Sequence, residues 1–311
     1  MSENSKIEWT DHTFNPWEGC QKVGPGCDHC YAETRNRRFG KGVAVNWGPG
    51  APRRRTSVEN WGKPKRWNDA HTEFFATHGR RQRVFCASLA DVFDNEVDLL
   101  WRRDLFRLID NTPNLDWLLL TKRIGNVPTM LRHVGVGELP SNVWLGATIV
   151  NQAEADRDIP KLLAVPARVR FLSMEPLLGP VDLEPYLWQS GHLDAETMEW
   201  HDGPGALLRQ RKELHWLIAG GESGHGARPM NPAWVRSLRD QCKKAGVKYF
   251  LKQWGEWSPS ENWPEDVAIP SGEVYYLDDT NSDHHAMWHV GKKKAGRLLD
   301  GRTHDEFPES I

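Results

Sequence analysis

No run of about 18 apolar residues occurs in the 311-residue sequence, so it predicts no membrane-spanning helix. The opening MSENSKIEWTD lacks the apolar stretch of a secretory signal, which predicts a cytoplasmic protein. Neither sign of charge dominates: 40 Lys and Arg stand against 42 Asp and Glu, a net charge of −2. The surface as a whole therefore does not read as a nucleic-acid binder, and any such role must be local. Cysteine is scarce. The count is five, an odd number, with three bunched together, which fits a reducing compartment better than a disulfide framework. Long internal repeats and low-complexity tracts are also missing.

What is present is tryptophan and a regular alternation. Sixteen tryptophans read mostly as core, because a buried indole needs a partner for its N–H, although some can stack on flat ligands. Near-continuous apolar runs recur as VFCASL (84–89), DWLLLT (116–121), NVWLGATI (142–149), VRFLSM (169–174), LHWLIAG (214–220) and VKYFLK (247–252). Runs of this length suit strands buried on both faces of a parallel sheet. Helical patterns separate them, among them WRRDLFRLIDN, VPTMLRHV and PAWVRSLRDQCKKAG, the last with a Gly stop. With an opening strand in KIEWTDHTF, seven strands are expected, in a complete or partial (β/α) barrel. The barrel is assigned to 1–256, with a basic, Trp-rich insertion at 31–83 and a polar insertion at 184–212. Residues 257–311 read as a small C-terminal appendage of short strands and turns.

Six strands end on polar residues or glycine. In a parallel barrel these ends share one face, and that face carries the site. They supply Lys122 and Arg123, candidates to hold a carboxylate or phosphate or else a solvated pair. They also supply Glu175, a hydrogen-bond acceptor or a helix cap, and Gly220, Gly221 and Glu222 as pocket lining. Lys252 and Gln253 stand likewise, with Trp254 as a stacking plate. Arg228 reads as an anion contact or a surface residue.

Cys20, Cys27 and Cys30 follow the first strand with spacing C-x6-C-x2-C. One reading is zinc, with His29 or His12 as fourth ligand, although structural zinc usually takes a second pair and Cys86 and Cys242 are single. Cys242 lies in an amphipathic helix and reads as core. The other reading is a [4Fe-4S] cluster with three thiolates and one open iron. An open iron can chelate S-adenosylmethionine (SAM), whose one-electron cleavage yields a 5′-deoxyadenosyl radical. Position after strand one of a (β/α) barrel favours the cluster.

IEWTDHTFNPWEGC, CDHCYAE, LLLTKR, WLGATIVNQ, SMEPLLGP, AGGESGHGARPM, FLKQWG and VGKKKAGRLLDGR together resemble a phage- and prophage-associated three-cysteine-motif family, similar to a divergent branch of radical SAM proteins. The resemblance covers nearly the whole chain. It implies a barrel of the radical SAM type, a [4Fe-4S] cluster on Cys20, Cys27 and Cys30, and SAM as cofactor. Two departures stand out. The common spacing is C-x3-C-x2-C with an aromatic before the last cysteine, whereas here the first gap holds Gly24-Pro25-Gly26 and His29 precedes Cys30. The Gly-Gly-Glu that such enzymes place after strand two follows strand six here, so the methionine-binding role does not carry over to Gly220, Gly221 and Glu222.

From Tyr31 to Trp67 there are ten Lys or Arg and two acidic residues, interleaved with Trp47, Trp61 and Trp67. Local basic charge with aromatics fits backbone contact and base stacking on DNA or RNA. Arg53, Arg54, Arg55, Lys63, Lys65 and Arg66 are the expected phosphate contacts, and Lys292 to Lys294 with Arg297 and Arg302 form a second basic cluster. The expected function is a radical SAM-like enzyme acting on a nucleic-acid base or nucleotide. The alternatives are a zinc-stabilised nucleic-acid-binding protein without catalysis, and a radical SAM enzyme acting on a peptide or small metabolite.

Overall fold

The computed structural model describes residues 4–193, 200–202, 208–211, 213–263, 273–278 and 286–309. Strand β1 (His12–Phe14) leads through β2 (Trp17–Glu18) into the cysteine loop and helix α1 (Tyr31–Phe39). β3 (Arg54–Arg55) pairs antiparallel with β2, and α2 (Val58–Asp69) and α3 (His71–His78) follow. Strands and helices then alternate through β4 (Gln82–Cys86), α4 (Leu99–Asp110), β5 (Leu115–Thr121), α5 (Val127–His133), β6 (Val143–Thr148), α6 (Gln152–Leu163) and β7 (Val169–Met174). Helix α7 (Glu184–Leu187) and an antiparallel set, β8 (Trp188–Leu193), β9 (Trp200–Asp202) and β10 (Leu208–Arg211), interrupt the alternation. It resumes with β11 (Trp216–Gly220), α8 (Pro232–Ala245) and β12 (Lys248–Gln253). Last come β13 (Trp257–Pro259), β14 (Val274–Tyr276), β15 (Ala286–His289) and α9 (Lys292–Ala295).

Seven strands join in the order β1-β4-β5-β6-β7-β11-β12, each neighbouring pair parallel. The sheet curls into a half-barrel, the partial form of the expected architecture. No helix among the described residues is long and apolar enough to cross a membrane.

Local chemistry sets the helix ends. Asp98 caps α4 by accepting the Leu100 N–H at 2.7 Å. Asn151 accepts the Glu154 N–H at 3.0 Å while the Glu154 carboxylate accepts the Val150 N–H at 3.1 Å, a tie across the first turn of α6 in the manner of a capping box. α8 starts on Asn231-Pro232 and stops at Gly246, whose φ of +65° suits glycine.

Side chains alternate between the two faces of each strand. One set, with Val84, Trp117, Leu145, Leu172, Leu217 and Leu251, packs under the helices. The other set, with Phe85, Leu118, Trp144, Phe171, Trp216, Ile218 and Phe250, packs on itself inside the curl, joined by Trp9, Ile7 and Phe307. Gly146 faces inward too; a Cβ there would stand 2.3 Å from the Phe171 ring. These bulky groups fill the interior, so the inward residues nearer the strand C-termini roof a solid floor.

Two boundaries differ from expectation. The opening strand shrinks to three residues, because Trp9 plugs the inner core and the Thr10 hydroxyl donates to the carbonyls of His12 and Arg83. The region after 257 is not wholly an appendage. Its β13-β15-β14 sheet stands apart from the large sheet, but residues 304–306 bond to the free edge of β12 through Leu251 N to His304 O and Glu306 N to Tyr249 O.

Candidate functional site

A cavity of about 490 Å3 opens at the C-terminal ends of the strands. The inward alternation builds its walls: two residues beyond Phe85, Leu120, Gly146, Phe171 and Phe250 stand Ala87, Lys122, Thr148, Ser173 and Lys252, and Glu175 follows Ser173 at the same interval. All six line the cavity, and so do Cys20, Cys27 and Cys30.

The cysteine loop lies close over the strand ends. Pro25–Cys27 forms a single 3-10 turn. A Cβ on Gly26 would come 2.7 Å from Val150 Cγ1, so glycine permits the close approach. Arg228 staples the loop from the far side: it donates to Glu222 Oε1 at 2.6 Å, to the Pro25 carbonyl at 2.9 Å and to Asp28 Oδ2 at 3.1 Å. Glu222 is thus a buried anchor at the cavity wall, and Arg228 is a clamp between loops rather than a free anion contact.

Lys122 Nζ is half-buried, 3.5 Å from Thr148 Oγ1, with no carboxylate partner among the described residues. Arg123 is buried against Asp91 (3.3 Å) and reaches Cys20 Sγ at 3.5 Å. Burial, then the Asp91 charge, pushes the Cys20 thiol up to about 11, and Arg123 opposes that rise. Glu175 accepts from Lys252 Nζ at 2.7 and 2.8 Å and from Gln253 Nε2 at 3.0 Å. Gly221 lines the cavity with its backbone hard against Trp254, where a Cβ would stand 1.9 Å from the carbonyl oxygen. Gly220 lies behind Glu175 instead; a Cβ there would meet the Glu175 carboxyl carbon at 3.2 Å, so its bareness leaves that side chain its place.

The remaining thiols and histidines sort clearly. Cys86 and Cys242 are buried in the core beneath the helices, and burial pushes both thiols well up. His12 is buried, 2.5 Å from Gln82 and stacked on Trp67, so it is no ligand for the cysteine loop. His29 is exposed at the cavity. Among the described residues, no group of three or more His, Cys, Asp and Glu gathers closely enough to share a single metal ion.

Several basic and aromatic candidates take other roles. Arg53 is buried: its Nε donates to Asp94 at 2.7 Å and its Nη1 to three carbonyls, those of Asn46, Gly48 and Ala51, so it cannot meet a phosphate. Arg54 pairs with Glu18, and Arg55 pairs with Asp104 and lies over the Trp61 ring. Lys63, Lys65 and Arg66 sit on α2, and none of the six residues lines the cavity. Trp254 is buried with its indole N–H on the Leu298 carbonyl at 2.7 Å, so it is no stacking plate. Lys292 does line the cavity, whereas Arg297 is spent on the Leu251 carbonyl and Asp305.

Asp91, Thr148 and Ser173 belong to the polar strand ends that the sequence places on the site face, without a role assigned to any of them, and Tyr31 was not a candidate. All four line the cavity, and the Tyr31 hydroxyl donates to the Ser88 carbonyl at 2.5 Å. Counting by twos from the inward core residues identifies Thr148 and Ser173.

No curated protein matches the chain. A family model described as "Protein of unknown function (DUF5131)" matches residues 4–308. Since the match spans the strands, the cysteine loop and the residues that line the cavity, the chain belongs to the DUF5131 family.

Proposed function

We propose that the protein is an iron–sulfur enzyme of the radical SAM type. The observation that carries this reading is that Cys20, Cys27 and Cys30 line one cavity at the strand C-termini of a parallel half-barrel. The donor set fits the group. Three thiolates suit three irons of a [4Fe-4S] cluster, each on its own iron, so they need to surround the cluster rather than converge on a point. Such a cluster would supply the one-electron reductive cleavage of SAM, and Cys20, Cys27 and Cys30 would hold it.

The residues of this chain then bind and orient. Lys122, a half-buried ammonium without a carboxylate partner among the described residues, suits the SAM carboxylate. Thr148 and Ser173 offer hydroxyls beside it. Glu175, fixed by Lys252 and Gln253, presents an oriented acceptor for ribose hydroxyls or substrate N–H groups. The packed aromatic floor excludes water from below, where a radical needs protection.

For substrate we propose single-stranded nucleic acid, met at α1 rather than at Arg53, Arg54 and Arg55, which are paired with Asp94, Glu18 and Asp104. This helix starts at the last cysteine. Tyr31 is 55% exposed and Phe39 73% exposed, and on the same helix and just beyond it Arg38 and Lys41 are exposed without a carboxylate partner among the described residues. Basic charge between exposed aromatics is what backbone contact and base stacking use. A base reached by radical chemistry must be out of its stack.

Anaerobic purification and iron analysis test the cluster. The expected result is brown protein with about four irons per chain, lost on changing Cys20, Cys27 or Cys30 to Ala and kept in Cys242→Ala. Colourless wild-type protein with stoichiometric zinc would overturn the proposal in favour of a zinc-stabilised binding module.

A further inference from the structure

We infer that Arg123 is a positioning residue that raises the reduction potential of the cluster by donating a hydrogen bond to the Cys20 sulfur. The inference rests on the iron–sulfur reading above and extends it to a residue outside the ligand set.

Arg123 Nη1 lies 3.5 Å from Cys20 Sγ, and Nη2 donates to the Gln21 carbonyl at 2.9 Å. One guanidinium therefore grips the ligand sulfur and the backbone next to it. Its own position is fixed by two carboxylates, Asp91 at 3.3 Å and Asp94 at 3.7 Å. Asp91 is in turn held by the Thr121 hydroxyl at 2.8 Å and the Phe93 and Lys122 N–H groups at 2.9 and 3.0 Å. Asp94 is held by Arg53 at 2.7 Å. The Arg123 side chain is 6% exposed. A guanidinium braced in this way cannot swing off the sulfur into water.

Cys20 is distinct among the three thiols: among the described residues, no cationic side chain donates to the sulfur of Cys27 or Cys30. Reducing an iron–sulfur cluster by one electron adds negative charge that spreads onto its thiolate ligands. A fixed positive donor at one of those sulfurs stabilises the reduced form more than the oxidised form. The electron comes from an external low-potential donor, and no bond in the protein breaks. Without Arg123 the cluster is harder to reduce.

The test is a redox titration followed by electron paramagnetic resonance on reconstituted wild type, Arg123→Lys and Arg123→Gln, with iron assayed in each. In Arg123→Gln the ratio of reduced to oxidised cluster at a fixed potential should fall about tenfold, a shift of about 59 mV to more negative potential. Arg123→Lys keeps the charge that Asp91 and Asp94 require but has a single donor head, and should shift less in the same direction. If Arg123→Gln fails to fold or to hold iron, the lysine variant carries the comparison alone. An unchanged midpoint in an iron-replete variant overturns the inference and leaves the cluster reading standing. Wild type that takes up no cluster removes both.

Discussion

Arg53 carries a positive charge that no phosphate can reach. Its guanidinium is 1% exposed and faces Asp94, which is fully buried. Breaking a buried pair leaves an uncompensated charge in the interior, at a cost of about 3–5 kcal/mol. Arg53→Ala should therefore lower the free energy of unfolding, measured by urea titration, by that much. Oligonucleotide affinity, measured by fluorescence anisotropy at low salt, should instead fall when Arg38 and Lys41 are both changed to Ser. The double variant binding single strands like wild type would remove α1 from the interface. Sequence counting found the positive charge of this region but not its partners. Arg53 and Asp94 are 41 positions apart, and nothing local in PRRRT marks the first arginine as the buried one. The cysteines were legible because three thiols in eleven residues form a cluster before any folding. Lys122 and Arg123 were legible as strand-end charges, but that Arg123 is spent on Asp91 while Lys122 reaches Thr148 at the cavity depends on long-range contacts.

At the scale of elements, β1 is the short edge strand that delivers the chain to the cysteines. Three residues pair with β4, and Asp11 reinforces that pairing. It accepts from Arg80 at 2.6 and 2.9 Å and from the Arg83 N–H at 2.8 Å. Burial alone would push the Asp11 carboxyl up, but the bonds from Arg80 and from the Arg83 N–H, with the charges of both arginines, outweigh it and hold the group below its ordinary value of 3.8. A carboxylate with a depressed folded value adds stability above its unfolded value, and that stability is lost as pH falls through the folded one. Asp11→Ala should lower stability by about 1–3 kcal/mol near neutrality, and its melting curve should lose less than wild type as pH drops below 3.8. Parallel acid limbs in the two proteins would count against this tie. The buried strands were legible because two covered faces leave continuous apolar runs; β7 begins and ends where VRFLSM does. β1 was overestimated because KIEW alternates charged and apolar residues as a half-buried strand does, yet its tryptophan serves as a plug in the inner core.

At the scale of the whole molecule, an inner core of aromatic side chains turns the lower half of the curl solid and leaves one chemical face. That face gathers three thiols, a lysine without a carboxylate partner among the described residues, a braced arginine and an oriented glutamate. The C-terminal segment looked separable because its sequence breaks the strand–helix rhythm. Residues 304–306 within it bond to the open edge of β12, a contact that periodicity does not encode. The central claim is that the three cysteines hold a cluster with an iron open to SAM. The most direct measurement is anaerobic incubation of reconstituted protein with SAM and dithionite, followed by chromatography for 5′-deoxyadenosine. The account predicts 5′-deoxyadenosine from wild type and none from Cys27→Ala. Iron-replete wild-type protein that leaves SAM intact would contradict it.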